Sequence, residues 1–328
     1  MAKKADLYFR TDPWKIIEEG FDPAYARVSE SVFSLGNETM GIRGCFDEGG
    51  TGDSLRGTYL NGVYDLEKLN RSYRGIIEKT HFMIPCADWL RTEIRLDGEK
   101  LDLNVVQFRE FRRELDMRAG TLTRSFVWRT GTGRELRLTF LRFLDMENRE
   151  RGFQRITLEA LNFSGEAELA TGLTFDVRHE GYGTCFWHPV LAEAEGNRLT
   201  LQARTGLSGQ EVFAGAVIAM PGEAAAFAEG MTAELRGRVS LSPGLPVQVE
   251  KRAVLLFDGQ NGETLRQAGQ ASLTAWEHRA PEETLAAQRR WWENRWKTCD
   301  IQIVSGEENA AAEQQGIRFC NFQLAQTY

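Results

Sequence analysis

The stretch SESVFSLGNETMGIRG, Ser29–Gly44, sets three glycines (Gly36, Gly41, Gly44) and Asn37 between short apolar runs. Glycine tolerates positive φ and close backbone approach, so this density marks a backbone with special demands. The residue types predict a strand, a tight turn and a strand that hold a sheet edge; the other reading is a ligand-facing loop. Glu30 and Arg43 are charges set among residues that look buried. Such charges survive burial when they are paired or hydrogen-bonded.

Outward from this stretch the chain reads as β-structure. Ile94 and Leu96 alternate with charges, Asp97-Gly98 supplies a type I′ turn, and Leu101 and Leu103 alternate again. This is a strong short-range hairpin signal. A second hairpin is predicted from Thr121–Arg129, the turn Gly131-Thr132-Gly133, and Glu135–Phe143. A long strand follows at Arg155–Asn162 and stops at Ser164-Gly165. Gly196-Asn197 turns between Leu191–Ala194 and Leu199–Ala203. Further strands are expected at Val212–Ala219, Met231–Leu241 and Val247–Phe257. The run Glu223–Ala228 is too short to count as low complexity. Turn signals this frequent, with almost no helical period, predict a mainly β fold: a large antiparallel β-sandwich followed by C-terminal helices.

The composition changes near residue 272. Pro281 with Glu282 and Glu283 opens a helix, with proline in the first turn and acids at its positive end. Leu285, Trp292 and Trp296 share one face, with Trp291 beside it, and read as an anchor onto the sandwich. Ser305 and Glu308 suggest a capping box for a last helix. There Ile317, Cys320, Leu324 and Tyr328 form a stripe, with Phe319 and Phe322 off it. A helix apolar on more than one side is expected to be covered on both.

Length and composition bound the class. A chain of 328 residues can bury a large core. Its hydrophobic content of 42% and charged content of 27% are ordinary for a globular protein. A net charge of −7 argues against nucleic acid, which prefers a basic face. The N-terminus has two lysines but no apolar run after them, unlike a signal peptide. No stretch approaches the length of a membrane span. Five scattered cysteines fit free thiols in a reducing cytoplasm.

Several separated blocks together resemble the N-terminal part of glycoside hydrolase family 65: the maltose, trehalose, kojibiose and nigerose phosphorylases and their acid trehalase relatives. The blocks are Trp14 and Glu18–Pro23 (EEGFDP), then Glu30, Ser31, Phe33, Gly36, Asn37, Gly41, Arg43 and Gly44. Gly57–Tyr64 (GTYLNGVY), Leu115–Gly120 (LDMRAG) with Leu122-Thr123-Arg124, and Gln315–Tyr328 follow in order. Where a common form of the first block has Gly-Tyr, this chain has Glu38-Thr39, which leaves the subfamily open. The resemblance implies a β-sandwich over residues 1–270, a helical linker over 271–304, and over 305–328 the first helix of an (α/α)6 barrel. It implies an N-terminal piece of an inverting disaccharide phosphorylase or hydrolase acting on α-glucosidic disaccharides. Inorganic phosphate would be co-substrate, with no other cofactor.

In such enzymes a protonated glutamate of the barrel donates to the glycosidic oxygen while phosphate attacks from the opposite face. No catalytic residue is therefore expected in this chain. The disaccharide would be met through the barrel, and this chain would brace that barrel, lend a loop to the mouth (Gly36–Gly44 or Gly57–Tyr64) and form a homodimer interface. Two other readings stand beside it: a stand-alone carbohydrate-binding module, and a structural or assembly module.

The remaining candidates each have a plain reading. Asp47-Glu48 and Glu307-Glu308 are carboxylate pairs expected to be solvated. Cys185 and His188, with His179 upstream, carry metal-ligand atoms without the three or four convergent ligands zinc needs, so no metal is expected. Trp89 and Trp187 are candidate sugar platforms, with core packing the alternative. No Walker loop or G-x-G-x-x-G is present.

Overall fold

The computed structural model describes residues 9–73, 77–259, 261–307 and 309–327. The N-terminal residues read above for a signal peptide, together with Glu308 and Tyr328, lie outside them. The chain opens on the hairpin β1 (Phe9–Asp12) and β2 (Lys15–Glu19). Asp22 then accepts a hydrogen bond from Ala24 N at 2.9 Å and starts a 3-10 turn at Pro23–Tyr25 that runs into helix α1 (Ala26–Val32). Residues 29–32 are thus helical, not the first strand of the expected pair. The helix start lies upstream, and Ser29 and Glu30 form its buried side. The pairing itself comes just after, between β3 (Leu35–Gly36) and β4 (Met40–Ile42), with β5 (Thr58–Leu60) on the far side.

A hairpin of β6 (Tyr64–Tyr73) and β7 (Ile77–Met83) follows. Next come β8 (Thr92–Leu96) and β9 (Glu99–Lys100), joined by Asp97 and Gly98 at φ 55° and 79°, the expected two-residue turn. Strands β10 (Gln107–Asp116), β11 (Thr121–Arg129), β12 (Glu135–Leu144) and β13 (Arg151–Ala160) form a meander. The Gly131–Gly133 hairpin is as the sequence predicts. After β14 (Gly165–Thr174) come β15 (Trp187–Glu195), β16 (Arg198–Thr205), β17 (Glu211–Ala219), β18 (Ala224–Glu229), β19 (Thr232–Leu241) and β20 (Val247–Leu256). The alanine-rich run set aside in the sequence is β18. It pairs along β19 from Ala224↔Gly237 to Glu229↔Thr232, so sheet pairing overrides alanine's helix preference.

Two antiparallel sheets face each other. The larger has ten strands, ordered β1-β2-β10-β11-β12-β13-β20-β17-β16-β15; the smaller has five, ordered β18-β19-β14-β8-β9. One continuous apolar core fills the space between them, including Leu138, Ile156 and Leu201 from the larger sheet and Leu169, Leu235 and Val239 from the smaller. This is the expected sandwich. Strand β17 is buried on both faces because helix α2 (Gly262–Glu277) covers its other side. Leu265, Leu273 and Trp276 there meet Phe213, Val217 and Val254 in a second apolar cluster.

Helix α3 (Pro281–Cys299) buries Leu285, Trp292 and Trp296, as its period predicts. Helix α4 (Ala310–Ala325) departs from prediction twice. It begins after Asn309 with no side-chain cap. Ser305 accepts from Glu307 N at 3.0 Å and lies ahead of the helix, so it is not the N-cap; Glu308, the other half of the expected capping box, lies outside the described residues. Its buried side carries Gln314, Arg318, Phe322 and Ala325, while Cys320 is exposed and Leu324 is 56% exposed. The cause is polar. Arg318 donates to Asp300 at 2.8 and 2.9 Å and lies 3.6 Å from the centre of the Trp14 ring, which orients the helix around that arginine.

Candidate functional site

The glycine-rich stretch is organised by Asn37, which is fully buried. Its amide donates to the carbonyls of Asp145 and Arg149 at 2.8 and 2.9 Å and accepts from Met40 N at 2.9 Å. The next residue, Glu38, has φ 66°. Its N–H donates to the Gln326 carbonyl at 2.6 Å, and Gly36 N donates to the Gln326 side chain. This turn is therefore the seat of the C-terminal end of α4. The paired charges expected here are present. Glu30 accepts from Leu55 N at 2.7 Å and from Ser54, and Arg43 lies 3.8 Å away.

Beneath the stretch lies a chain of buried ions. Glu18 accepts from Arg113 Nε at 2.7 Å and from Ser29 Oγ at 2.8 Å. Glu48 accepts from both terminal nitrogens of the Arg124 guanidinium, from Nη1 at 2.7 Å. Asp47 accepts from Gln154 at 2.6 Å and from Arg142 at 3.2 Å. Asp47 and Glu48 are thus buried and paired, at 2% and 6% exposure, where solvated acids were expected. Asp-Glu looks hydrophilic in one dimension, and its partners Arg124, Arg142 and Gln154 lie far along the chain on β11, β12 and β13. Burial would push the Asp47 carboxyl up, but Arg142 and Arg124 outweigh it and hold the group below its usual range.

This floor opens into a cleft of about 740 Å³ between β5, the loop before β8 and the loop after β14. The volume falls within the about 300–1,000 Å³ of small-molecule sites. Arg56 clamps Asp88 on its floor through Nε at 2.6 Å and Nη2 at 3.1 Å. Burial pulls the Arg56 guanidinium down, but Asp88 overcomes this and holds it above the ordinary arginine range. Behind the cleft Lys251, 1% exposed, donates to the carbonyls of Trp89, Arg91 and Gly172 at 2.9–3.1 Å. Burial pushes its ammonium down to about 7. Cys86 also faces the cleft, and burial pushes its thiol up to about 12, which leaves no thiolate for nucleophilic chemistry.

Of the two loop candidates, Gly57–Tyr64 reaches the cleft through Gly57, Thr58 and Tyr59, whereas Gly36–Gly44 reaches it only through Arg43. Arg56, Asp88 and Lys251 were not singled out in the sequence. The available signal was the charged triplet Glu250-Lys251-Arg252 inside an apolar strand. Trp89 and Trp187 are 0% and 3% exposed, so they are core residues and not sugar platforms. Trp187 Nε1 donates to Pro85 O at 2.8 Å. Cys185 Sγ contacts Phe175 O and His179 Nδ1 accepts from Gly181 N. Among the described residues no three histidines, cysteines or acids gather as a metal site, and no helix is long and apolar enough to cross a membrane.

Residues 16–295 match the family described as "Glycosyl hydrolase family 65, N-terminal domain". The chain is 30% identical to the maltose phosphorylase of Bacillus subtilis over 330 residues, covering 98% of this chain and 43% of that protein. A kojibiose phosphorylase of Caldanaerobacter subterraneus is 30% identical over 165 residues, covering 50% of this chain and 20% of that protein. Among solved structures, a putative kojibiose phosphorylase from the human microbiome superposes with a TM-score of 0.91 at 29% identity, over 97% of this chain and 42% of its own. The chain therefore spans about two fifths of the length of the maltose phosphorylase and of that structure.

Proposed function

Because this chain belongs to glycosyl hydrolase family 65, as the family's N-terminal domain, we propose that it is the non-catalytic part of an inverting disaccharide phosphorylase acting on α-glucosidic disaccharides in the cytoplasm. Its task is to brace a catalytic barrel and shape the approach to it, and the same domain offers a surface for pairing two copies. Inorganic phosphate is the co-substrate of the whole enzyme.

The observation that supports this reading is the pairing of the buried carboxylates. An inverting phosphorylase needs a carboxylic acid that keeps its proton near neutral pH. At the cleft, Asp47 is held below its usual range by arginines, and Glu48 and Asp88 are each clamped by a guanidinium. Among the described residues the one acid raised by burial, Asp145, lies beside the glycine-rich turn and accepts from the backbone of Glu147 and Asn148. The bracing role is supported by the double hold of Gly36 and Glu38 on Gln326.

The test is a phosphate-consumption assay on this chain with maltose, trehalose and kojibiose. No turnover is expected. Phosphate consumption with any of the three would overturn the non-catalytic assignment. Sedimentation of the same sample reads the pairing, with a dimer expected.

A further inference from the structure

Three properties of the cleft define what it can hold. The first is charge. Basic and acidic side chains line it in nearly equal number, and most of them are already in ion pairs. Arg56 is paired with Asp88, Arg91 with Glu234 and Lys100 with Glu93. Arg27 bridges Asp53 and Glu180 at 2.6 and 2.7 Å. A phosphate meets no net positive charge here, and Arg178, which donates to Gly183 O at 3.1 Å, is the lining cation without a carboxylate partner among the described residues.

The second property is unused hydrogen-bonding capacity. A guanidinium offers five N–H groups in a plane and a carboxylate several lone pairs. One ion pair leaves some of both free. Arg43 Nε is buried, at this cleft, with no hydrogen-bond partner among the described residues. Planar donors and acceptors side by side suit vicinal hydroxyl groups, which need one of each.

The third is a fixed aromatic face. Tyr59 is partly buried and its phenol lies on the backbone of Gly57: a β-carbon at 57 would stand 2.8 Å from Tyr59 Cε2 and 3.0 Å from its hydroxyl. The ring is positioned before any ligand arrives.

A neutral, polyhydroxylated ligand with an apolar ring face satisfies all three. We propose that the cleft between Tyr59 and Arg178 binds a neutral saccharide of two or three rings. The saccharide's hydroxyls take the spare N–H groups and lone pairs of the matched ions, and one ring face lies on Tyr59.

The test is calorimetric titration of the whole chain with maltotriose, cellotriose and, separately, inorganic phosphate. Saturable heat with at least one trisaccharide and none with phosphate is expected. Tyr59→Ala and Gly57→Ala each weaken binding about tenfold, Arg178→Ala on the rim weakens it about threefold, and Tyr59→Phe, which keeps the ring, stays within about twofold. Leu245→Ala, at an exposed position outside the cleft, changes nothing. The proposal is overturned by no heat with either sugar, by heat with phosphate instead, or by full affinity in both Tyr59→Ala and Arg178→Ala. Sugar binding and phosphate consumption are read separately, so this assignment and the non-catalytic one can fail independently.

Discussion

Gly120 lies against the indole of Trp292 so closely that a β-carbon at 120 would stand 1.8 Å from Trp292 Nε1. Gly120 also has φ +64°. The turn it closes receives two further bonds from α3: Gln288 donates to Gly120 O at 3.1 Å and Trp296 to Met117 O at 2.9 Å. Trp292 in turn stacks on Phe322 of α4 with ring centres 4.6 Å apart. One glycine thus keys both terminal helices to the turn between β10 and β11. Gly120→Ala adds overpacking, at about 1–3 kcal/mol, to the strain of a left-handed alanine, at about 1–2 kcal/mol. A urea melt should show a clear drop in midpoint. An unchanged midpoint would mean that α3 does not rest on this turn.

Arg124 and Glu48 form an ion pair almost closed to water, with side chains 4% and 0% exposed. Arg124 also lies 4.2 and 4.3 Å from the ring centres of Phe46 and Phe140. Removing one member of such a pair strands the other in a poorly solvating interior. Arg124→Met is therefore expected to cost about 3–5 kcal/mol, and the double variant Arg124→Met/Glu48→Leu to recover most of that. A double-mutant cycle by chemical denaturation measures the coupling. Additive losses would show that the pair is not a unit.

The residues that the sequence makes legible are those whose pattern is local. The hairpins at Asp97-Gly98 and Gly131–Gly133 declare themselves because both strands and their turn lie within a short window. The tryptophan face of α3 is equally local. What the sequence hides depends on distant partners. Asp47 and Glu48 look solvated until β11, β12 and β13 deliver their cations. Cys320 and Leu324 of the expected α4 stripe are exposed, because Asp300 and Trp14 claim Arg318. The cleft was half legible: Gly57–Tyr64 could be singled out by its glycines, whereas Arg56–Asp88 and Lys251 belong to no motif.

Lys251 gives a pH signature of definite sign. Its ammonium is pushed by burial from the ordinary 10.5 down to about 7, with Asp88 and Asp47 opposing that shift and Arg56 and Arg91 adding to it. Between about pH 7 and 10.5 the unfolded chain holds a proton here that the folded chain has lost. Stability from this group therefore rises with pH across that window. Because cysteines and tyrosines titrate there too, the quantity to measure is the difference in unfolding free energy between the wild type and Lys251→Met. That difference should shift in favour of the wild type from pH 7 to 9.5. A flat difference would mean that Lys251 stays charged in its carbonyl cage.

Asn37 offers the sharpest separation of a hydrogen bond from the shape that carries it. Its amide is the donor to two backbone carbonyls, Asp145 O and Arg149 O, and its oxygen caps Met40 N. Asn37→Ala leaves three backbone groups without that partner, the Asp145 carbonyl and Met40 N–H being buried and the Arg149 carbonyl half-buried, at about 1–3 kcal/mol for each buried group where water does not replace it. Asn37→Asp keeps the shape and the cap on Met40 but replaces both donor bonds with a carboxylate facing two carbonyl oxygens. At neutral pH it should be the less stable of the two variants. Burial and the facing carbonyls raise the introduced carboxyl above its unfolded value, so in the folded state it takes up a proton first as the pH falls. Once protonated it can donate to one carbonyl again. Asn37→Asp should therefore gain stability relative to Asn37→Ala as the pH is lowered through that raised value. Thermal melts of both variants between pH 4.5 and 7.5 read this directly. Curves that keep a constant gap across the range would show that the two carbonyls do not depend on Asn37 for their bonds.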